Sequence, residues 1–544
     1  MPNVSLNKET VMKLIGKKIP DDTLKDRISM LGTDLDQVTD KTIDVEIFPN
    51  RPDMLSEQGF ARSLSAFMGI KTGLRKFKVN KSNFIVNVQP SIKSIRPYTM
   101  CAVVKGIKFT NEVIEEIINI QEKLHVSFCR NRKKAAIGIY PLEKIKFPIK
   151  YFAEDPKKIK FIPLEGNKPL TGLQILSQHQ KGREYAYLLE GLKKFPFFED
   201  ANKQILSMPP IINSEKTGKI TKTTTDVFIE ASGFDLNTLT IIINILSTMF
   251  HDMQGTVYEV KVKYGNKTIN SPDLKPKTMA LDLKYVNKLL GLELKEAQAK
   301  TLLQKMGMDY TKGLVSYPAY RADILHPIDL VEDIAIAYGY ENFQEEIPNI
   351  STIGEESQTE ILKRKVAEII IGLGYLECSS YHLASEQEQN EQMNTKLKTI
   401  KLKNSLSLEY NVLRSWIIPN LLSILARNKK YDYPQKIFEI GRVFKNGISE
   451  TGTIENERVA VVSSHQTANF TEIKQVLDYV LRMLDLEYTV KEVEHPSFIS
   501  GRCARISVNK KDVAFIGEIH PSVLENFGIE FPTCALELNL SELF

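Results

Sequence analysis

Residues 321–343, RADILHPIDLVEDIAIAYGYENF, crowd four carboxylates into one short stretch of a chain whose net charge is +5. Asp323 lies on an extended approach, and Asp329, Glu332 and Asp333 follow at i, i+3 and i+4, on one face of a helix. Two chemistries use such a cluster. Asp329 after Pro327 reads as an N-cap, with Glu332 completing something close to a capping box, and the macrodipole favours acids there. Capping uses one or two acids, however, whereas these three repel one another and Asp323 adds a fourth. Carboxylates that converge without matching bases suit a hard cation such as Mg²⁺, which keeps several waters and takes only one or two carboxylates directly. The spacing leaves both readings open.

Little else in the chain could do chemistry. There is no G-x-x-x-x-G-K-[ST] loop, no H-E-x-x-H and no G-x-S-x-G. A metal-dependent nuclease or phosphotransferase built on the acids would need a basic substrate grip beside them, and only Arg321 is there. His179 in SQHQKG and His520 in EIHPS read as structural residues, and RNRKK at 130–134 as a solvated basic face, with phosphate contact as the alternative. Five scattered cysteines without a C-x-x-C pair argue against a disulfide framework or zinc ribbon and fit a reducing compartment. No signal peptide is visible, and the longest apolar run, LTIIINILSTMF at 239–250, is too short to span a bilayer and reads as a buried element. A soluble cytoplasmic protein is expected.

The elements that must position these residues fall into blocks. At 544 residues several cores are required. Residues 1–83 show two helices and an alternating strand, KTIDVEIF, then a Pro-rich turn and an amphipathic helix capped by Ser56 or Glu57. Residues 84–269 alternate strand-like runs, YTMCAVVKGIKF, AAIGIY, EYAYLLEG and TVYEVKVKYG, with turns. After the connector NSPDLKPKT, residues 270–345 form a small helical unit that ends in the acidic stretch. An acidic polar linker at 344–360 leads into 346–544, where the helices Ile361–Leu373 and Val412–Leu425 accompany KIFEIGRVF, RVAVVSSH, CARISVN, VAFIGEIH and CALELNL. The fold class is α+β and multidomain.

PAYRADILHPIDLVEDIAIAYGYENF resembles the P-x-x-R-x-D-I…D-L-[IV]-E-[ED]…YG stretch of the phenylalanyl-tRNA synthetase β subunit. PNRPDMLSEQGFARSLSAFMGI resembles that family's N-terminal signature. FIPLEGNKPLTGLQILSQHQKGREYAYLL and ILSMPPIINSEKTGKITKTTTDVFIEASG resemble its editing domain. NSLSLEYNVLRSWIIPNLLSILARN, PQKIFEIGRVF, FISGRCARI and IGEIHPSVLENFGI resemble its synthetase-like domain. The blocks stand in family order along nearly the whole chain, which lacks room for the bacterial OB-fold insertion and C-terminal module and so looks archaeal or eukaryotic in type.

The resemblance implies an N-terminal α+β domain, a β-rich editing domain, a small winged-helix-like B5 domain holding the acids, and a C-terminal class II synthetase-like antiparallel sheet with helices. It implies a catalytic α subunit as partner in an (αβ)₂ assembly that charges tRNA(Phe) with phenylalanine at the expense of ATP, and one structural Mg²⁺ at Asp323, Asp329, Glu332 and Asp333. Asp333 stands where many relatives would carry Glu. A stand-alone RNA-binding module, the competing reading, would bind tRNA without a partner. No aminoacylation residues are expected here. KIFEIGRVF has no arginine where f-R-x-E requires one, and CALELNLSELF has neither the glycine nor the arginine of motif 3. A pocket for phenylalanine cannot strongly reject tyrosine, so a second sieve is needed. The resemblance puts that sieve at roughly 110–260, with Ser207, Asn213, Ser214, Thr225 and Glu230 as its polar candidates and Glu230 facing the tyrosine hydroxyl. Without a Ser/His or Cys/His pair, hydrolysis by a positioned water is expected.

Overall fold

The computed structural model describes residues 2–347, 349–350 and 353–543. The chain divides into two compact units, Met1–Ile347 and Pro348–Phe544. Part of the linker expected at 344–360, namely residues 348, 351 and 352, lies outside the described residues.

In the first unit, strands Asn3–Asn7, Thr42–Glu46 and Asp34–Val38 make a small antiparallel sheet in that order. Helix Lys8–Ile15 starts where the Asn7 side chain accepts the Thr10 N–H and ends at Gly16, whose φ of 84° suits glycine. Ser56 caps helix Glu57–Phe67 by accepting the Gly59 N–H at 3.1 Å. A ten-stranded sheet follows. Its path runs Ile212–Asn213, Ile205–Met208, Phe195–Glu199, Ile149–Glu154, Val79–Val88, Thr256–Tyr264, Tyr98–Lys105, Val227–Gly233 and Ala135–Pro141, and Lys267–Ser271 pairs onto Thr256–Tyr264. The apolar run at 239–250 falls within helix Leu236–Asp252, which packs Leu239, Ile242, Leu246 and Phe250 against this sheet. Each such side chain contributes roughly 1.5–3 kcal/mol by leaving water. No helix among the described residues is long and apolar enough to cross a membrane. Helices Leu283–Leu290, Glu296–Lys305 and Pro327–Tyr338 close the unit around a three-stranded sheet, and their apolar faces join the same core as Leu55, Phe60 and Leu64.

In the second unit a seven-stranded sheet runs Leu376–Glu377, Gln435–Asn446, Thr453–Ser464, Thr533–Asn539, Lys511–Ile519, Phe498–Val508, Thr489–Glu492. Only its first pair is parallel. The alternation of a strand splits the core: Val459 and Val461 pack with helices Gln358–Gly372 and Phe470–Met483, while Ala460 and Val462 pack with Ile418–Arg427 and Pro521–Phe527.

Two expected elements differ. EYAYLLEG is not a strand: helix Gln180–Tyr185 and the turn Ala186–Leu188 bury Tyr185 and Leu189 four residues apart, a helical spacing hidden in an apolar run. The helix expected over Val412–Leu425 begins at Ile418, with Pro419 in its first turn, and Val412–Leu413 pairs as a strand with Leu383–Ala384. Proline lacks the N–H needed to extend the helix backward.

Candidate functional site

Glu230 sits mid-strand in Val227–Gly233, opposite Cys101 on one side and Gly138 on the other. The alternation of Ala135–Pro141 puts Tyr140 on the same face as Gly138, so its hydroxyl reaches over the glycine. That hydroxyl lies 2.8 Å from Ser207 Oγ, 3.2 Å from Glu230 Oε1 and 3.3 Å from Asn213 Oδ1. A Cβ at position 138 would stand 2.2 Å from the Tyr140 hydroxyl and 2.6 Å from Glu230 Oε1, so the cluster requires glycine there. Ser207, Asn213 and Glu230 line one cleft of about 550 Å³, walled by Phe109, Ile117, Ile137 and Ile220.

Glu230 is 2% exposed, and burial pushes its carboxyl up to about 8, against the pull of Tyr140 and Arg96. Near neutral pH it therefore carries a proton. Its Oε2 is buried without a hydrogen-bond partner, an oxygen able to bond a ligand hydroxyl.

The same cleft has a second polar end on helix Asn111–Val126, which Thr110 caps. His125 Nε2 accepts the Ile137 N–H at 2.8 Å, so its proton is on Nδ1, 3.3 Å from Glu122 Oε1. Burial lowers the imidazole to about 4. Burial alone would raise Glu122, but its bond to His125 and the Arg132 charge hold it at about 2. Arg132 bonds Glu122 at 2.7 Å and the carbonyls of Pro210 and Ile211 at 3.2 and 3.0 Å, and lies 4.2 Å over the Tyr185 ring. Here RNRKK departs from a uniformly solvated face. Arg130, Asn131 and Arg132 all adopt positive φ, which turns Arg132 inward while Arg130, Lys133 and Lys134 stay exposed.

Two expected pocket residues lie elsewhere. Thr225 is exposed, in the turn before the strand, and its carbonyl accepts the Ile107 N–H. Ser214 is buried beside the cleft and spends its N–H on the Leu206 carbonyl at 2.7 Å. Sequence reasoning missed Tyr140, Gly138, Glu122, His125 and Arg132. The only local trace is a glycine two residues before a tyrosine in AAIGIY.

The acidic stretch folds differently from the expected ligand set. His326, not Asp329, is the N-cap of helix Pro327–Tyr338. Asp329 occupies the third helical position, and its Oδ2 accepts the N–H groups of Leu325 and His326, both at 2.7 Å. Arg321 is buried and bridges Asp323 at 2.6 Å and Asp333 at 2.8 Å. At Asp323 burial opposes charge but Arg321 prevails and holds the carboxyl below its usual range, whereas at Asp333 burial prevails and raises it. Glu332 is exposed and accepts from the Tyr340 hydroxyl at 3.4 Å. Among the described residues no group of three or more His, Cys, Asp or Glu could hold a metal ion. The four acids do not fit one shared Mg²⁺, because Arg321 already neutralises the inner two and backbone amides bond the third.

Comparison with known proteins decides the family. Residues 344–540 match the phenylalanyl tRNA synthetase beta chain CLM domain, and residues 279–340 match the tRNA synthetase B5 domain. The phenylalanine–tRNA ligase beta subunit of Methanosarcina barkeri is 40% identical over 552 residues, covering 100% of this chain and 99% of that protein. The beta subunits of Archaeoglobus fulgidus (39% over 552 residues) and Thermococcus kodakarensis (36% over 570 residues) match with the same coverage. This chain belongs to the phenylalanine–tRNA ligase beta-subunit family. A crystal structure of an N-terminal fragment of the Pyrococcus horikoshii phenylalanyl-tRNA synthetase beta subunit superposes with a TM-score of 0.60 at 37% identity, covering 62% of this chain and 99% of the fragment.

In the second unit of this family member, Glu439 is buried at the position directly after Phe438, where an f-R-x-E match would need arginine. Its Oε1 pairs with Arg414 at 2.5 Å and its Oε2 accepts from Ser380 at 2.6 Å. Glu537 pairs with Arg458 at 2.9 Å and accepts the N–H groups of Ile417 and Ile418. These two buried carboxylates of the sheet are thus each committed to an arginine.

Proposed function

We propose that the cleft around Glu230 is a hydrolytic editing site. It serves a chain that acts as the β subunit of phenylalanine–tRNA ligase, charging tRNA(Phe) with phenylalanine together with a catalytic α subunit. The reading extends to an (αβ)₂ assembly in the cytoplasm, with ATP and phenylalanine bound on α. The helix-flanked seven-stranded sheet, with its Arg414–Glu439 and Arg458–Glu537 pairs, supports a synthetase-like domain that no longer binds ATP.

One observation carries the editing reading: a buried, protonated carboxyl with an unpartnered oxygen at the polar end of an apolar-walled cleft. A tyrosyl phenol can donate to and accept from that group. A phenylalanyl ring leaves it unpaired, and an unpaired buried polar group costs about 1–3 kcal/mol. The cleft thus prefers the wrong amino acid, which is what a second sieve requires.

Ser207→Ala and Glu230→Ala in the assembled enzyme test this. Phenylalanylation should hold while Tyr-tRNA(Phe) accumulates. Deacylation of Tyr-tRNA(Phe) at the wild-type rate by both variants would remove the pocket from this role.

A further inference from the structure

We infer that His179 is the general base that binds and deprotonates the hydrolytic water in this cleft, an assignment that rests on the editing reading of the same site. His179 ends helix Gly172–Gln178 and begins helix Gln180–Tyr185, in extended conformation (φ −87°, ψ 141°), so its ring leaves both helices and lines the cleft. Its Nε2 lies 3.2 Å from the Leu164 carbonyl. A carbonyl only accepts, so the ring proton is on Nε2 and Nδ1 presents a bare lone pair. That Nδ1 is buried without a partner, the same condition as Glu230 Oε2. The Leu164 N–H donates to the Asn213 carbonyl at 2.8 Å, so the backbone that orients His179 also holds a member of the hydroxyl-reading cluster.

Three other groups of the cleft are already engaged or unsuited. Both His125 nitrogens are engaged, Nε2 by the Ile137 N–H and Nδ1 by Glu122. Glu122, held at about 2, is too weak a base, and Ser207 Oγ faces Tyr140 rather than an imidazole. His179 alone among these pairs an orienting bond with a free acceptor.

A water on Nδ1 attacks the carbonyl carbon of the aminoacyl ester, forming the new C–O bond as its proton passes to Nδ1 and the carbonyl electrons move onto oxygen. When the tetrahedral species collapses, the ester bond to the terminal ribose breaks and the leaving oxygen takes the proton from Nδ1. The products are free amino acid and tRNA with its hydroxyl restored. Neutral imidazole is regenerated, and water is the only co-reactant.

The test uses the assembled enzyme with preformed Tyr-tRNA(Phe). His179→Gly should lower kcat for deacylation by about 10²–10⁴-fold with little change in KM, and added imidazole should restore part of it. His179→Gln keeps an amide donor for Leu164 but offers no basic nitrogen, and should lose as much without rescue. Phenylalanylation reports intact assembly in both. Wild-type deacylation by His179→Gln, or a loss confined to KM that imidazole does not repair, overturns the assignment. Glu230→Ala run in parallel separates the failures. If it is defective while both His179 variants are not, only the base is wrong; if all three match wild type, the editing reading falls too.

Discussion

Two buried polar clusters lie in the first unit, and they keep opposite accounts of their hydrogen bonds. Around the cleft, Glu230 Oε2 and His179 Nδ1 have no partner. At the start of helix Pro327–Tyr338, Asp323 and Asp333 close on Arg321, and Asp329 closes on two amides. The acid-rich sequence looked like the binding site and folds into a self-satisfied brace. The apolar strand around Glu230, marked out only by the family resemblance, retains unmet bonding capacity. Unspent capacity, rather than density of charge, marks the place prepared for a ligand.

The sharpest way to break this contrast is at the brace. Arg321→Ala strands two buried carboxyls and should cost about 3–5 kcal/mol of unfolding free energy, visible as a lower melting temperature and denaturant midpoint. Arg321→Lys should recover only part, since one ammonium cannot fork to two acids as a guanidinium does. A melting curve unchanged in Arg321→Ala would mean the acids are neutralised some other way.

The next effect belongs to Glu230. Its carboxyl ordinarily loses its proton near 4.5 but keeps it to about 8 in the folded chain. Between those values the folded state binds the extra proton, so this residue's contribution to stability falls as pH rises through the window. Glu230→Gln, a permanent mimic of the protonated form, should remove that slope and gain about 4 kcal/mol over wild type at pH 8. Glu116, also raised to about 8 by burial and by Glu57, is present in both proteins, so the difference between their curves isolates Glu230. Parallel pH curves would show that Glu230 is ionised in the fold.

The smallest effect expected is none. Exchanging Mg²⁺ for EDTA should leave the melting temperature where it was, because Arg321 already supplies the positive charge among the acids. A Mg²⁺-dependent rise would return the acidic stretch to the ligand-binding class and dissolve the comparison.

Local pattern made much of the fold legible. Short apolar runs in RVAVVSSH and CALELNL marked strands that feed two cores, and Ser56 marked a helix start. The cleft was less legible. Ser207, Asn213 and Glu230 were reachable only through family resemblance, and Tyr140 was missed because its meeting with Glu230 depends on register between strands some ninety residues apart in sequence. Periodicity put Asp329, Glu332 and Asp333 on one helix but could not say where Arg321 would point. RNRKK is the solvated face expected except at Arg132, whose inward turn was hidden because consecutive left-handed residues in a basic run have no compositional signature.

Arg321 serves acids two and twelve positions away with a single guanidinium. These three positions are therefore inherited as one. A lineage that loses either aspartate alone keeps a buried cation short of a partner, and one that loses the arginine first passes through a protein weaker than either end point. Descendants should keep all three residues or exchange them together, so a relative without the arginine should also have changed its acids.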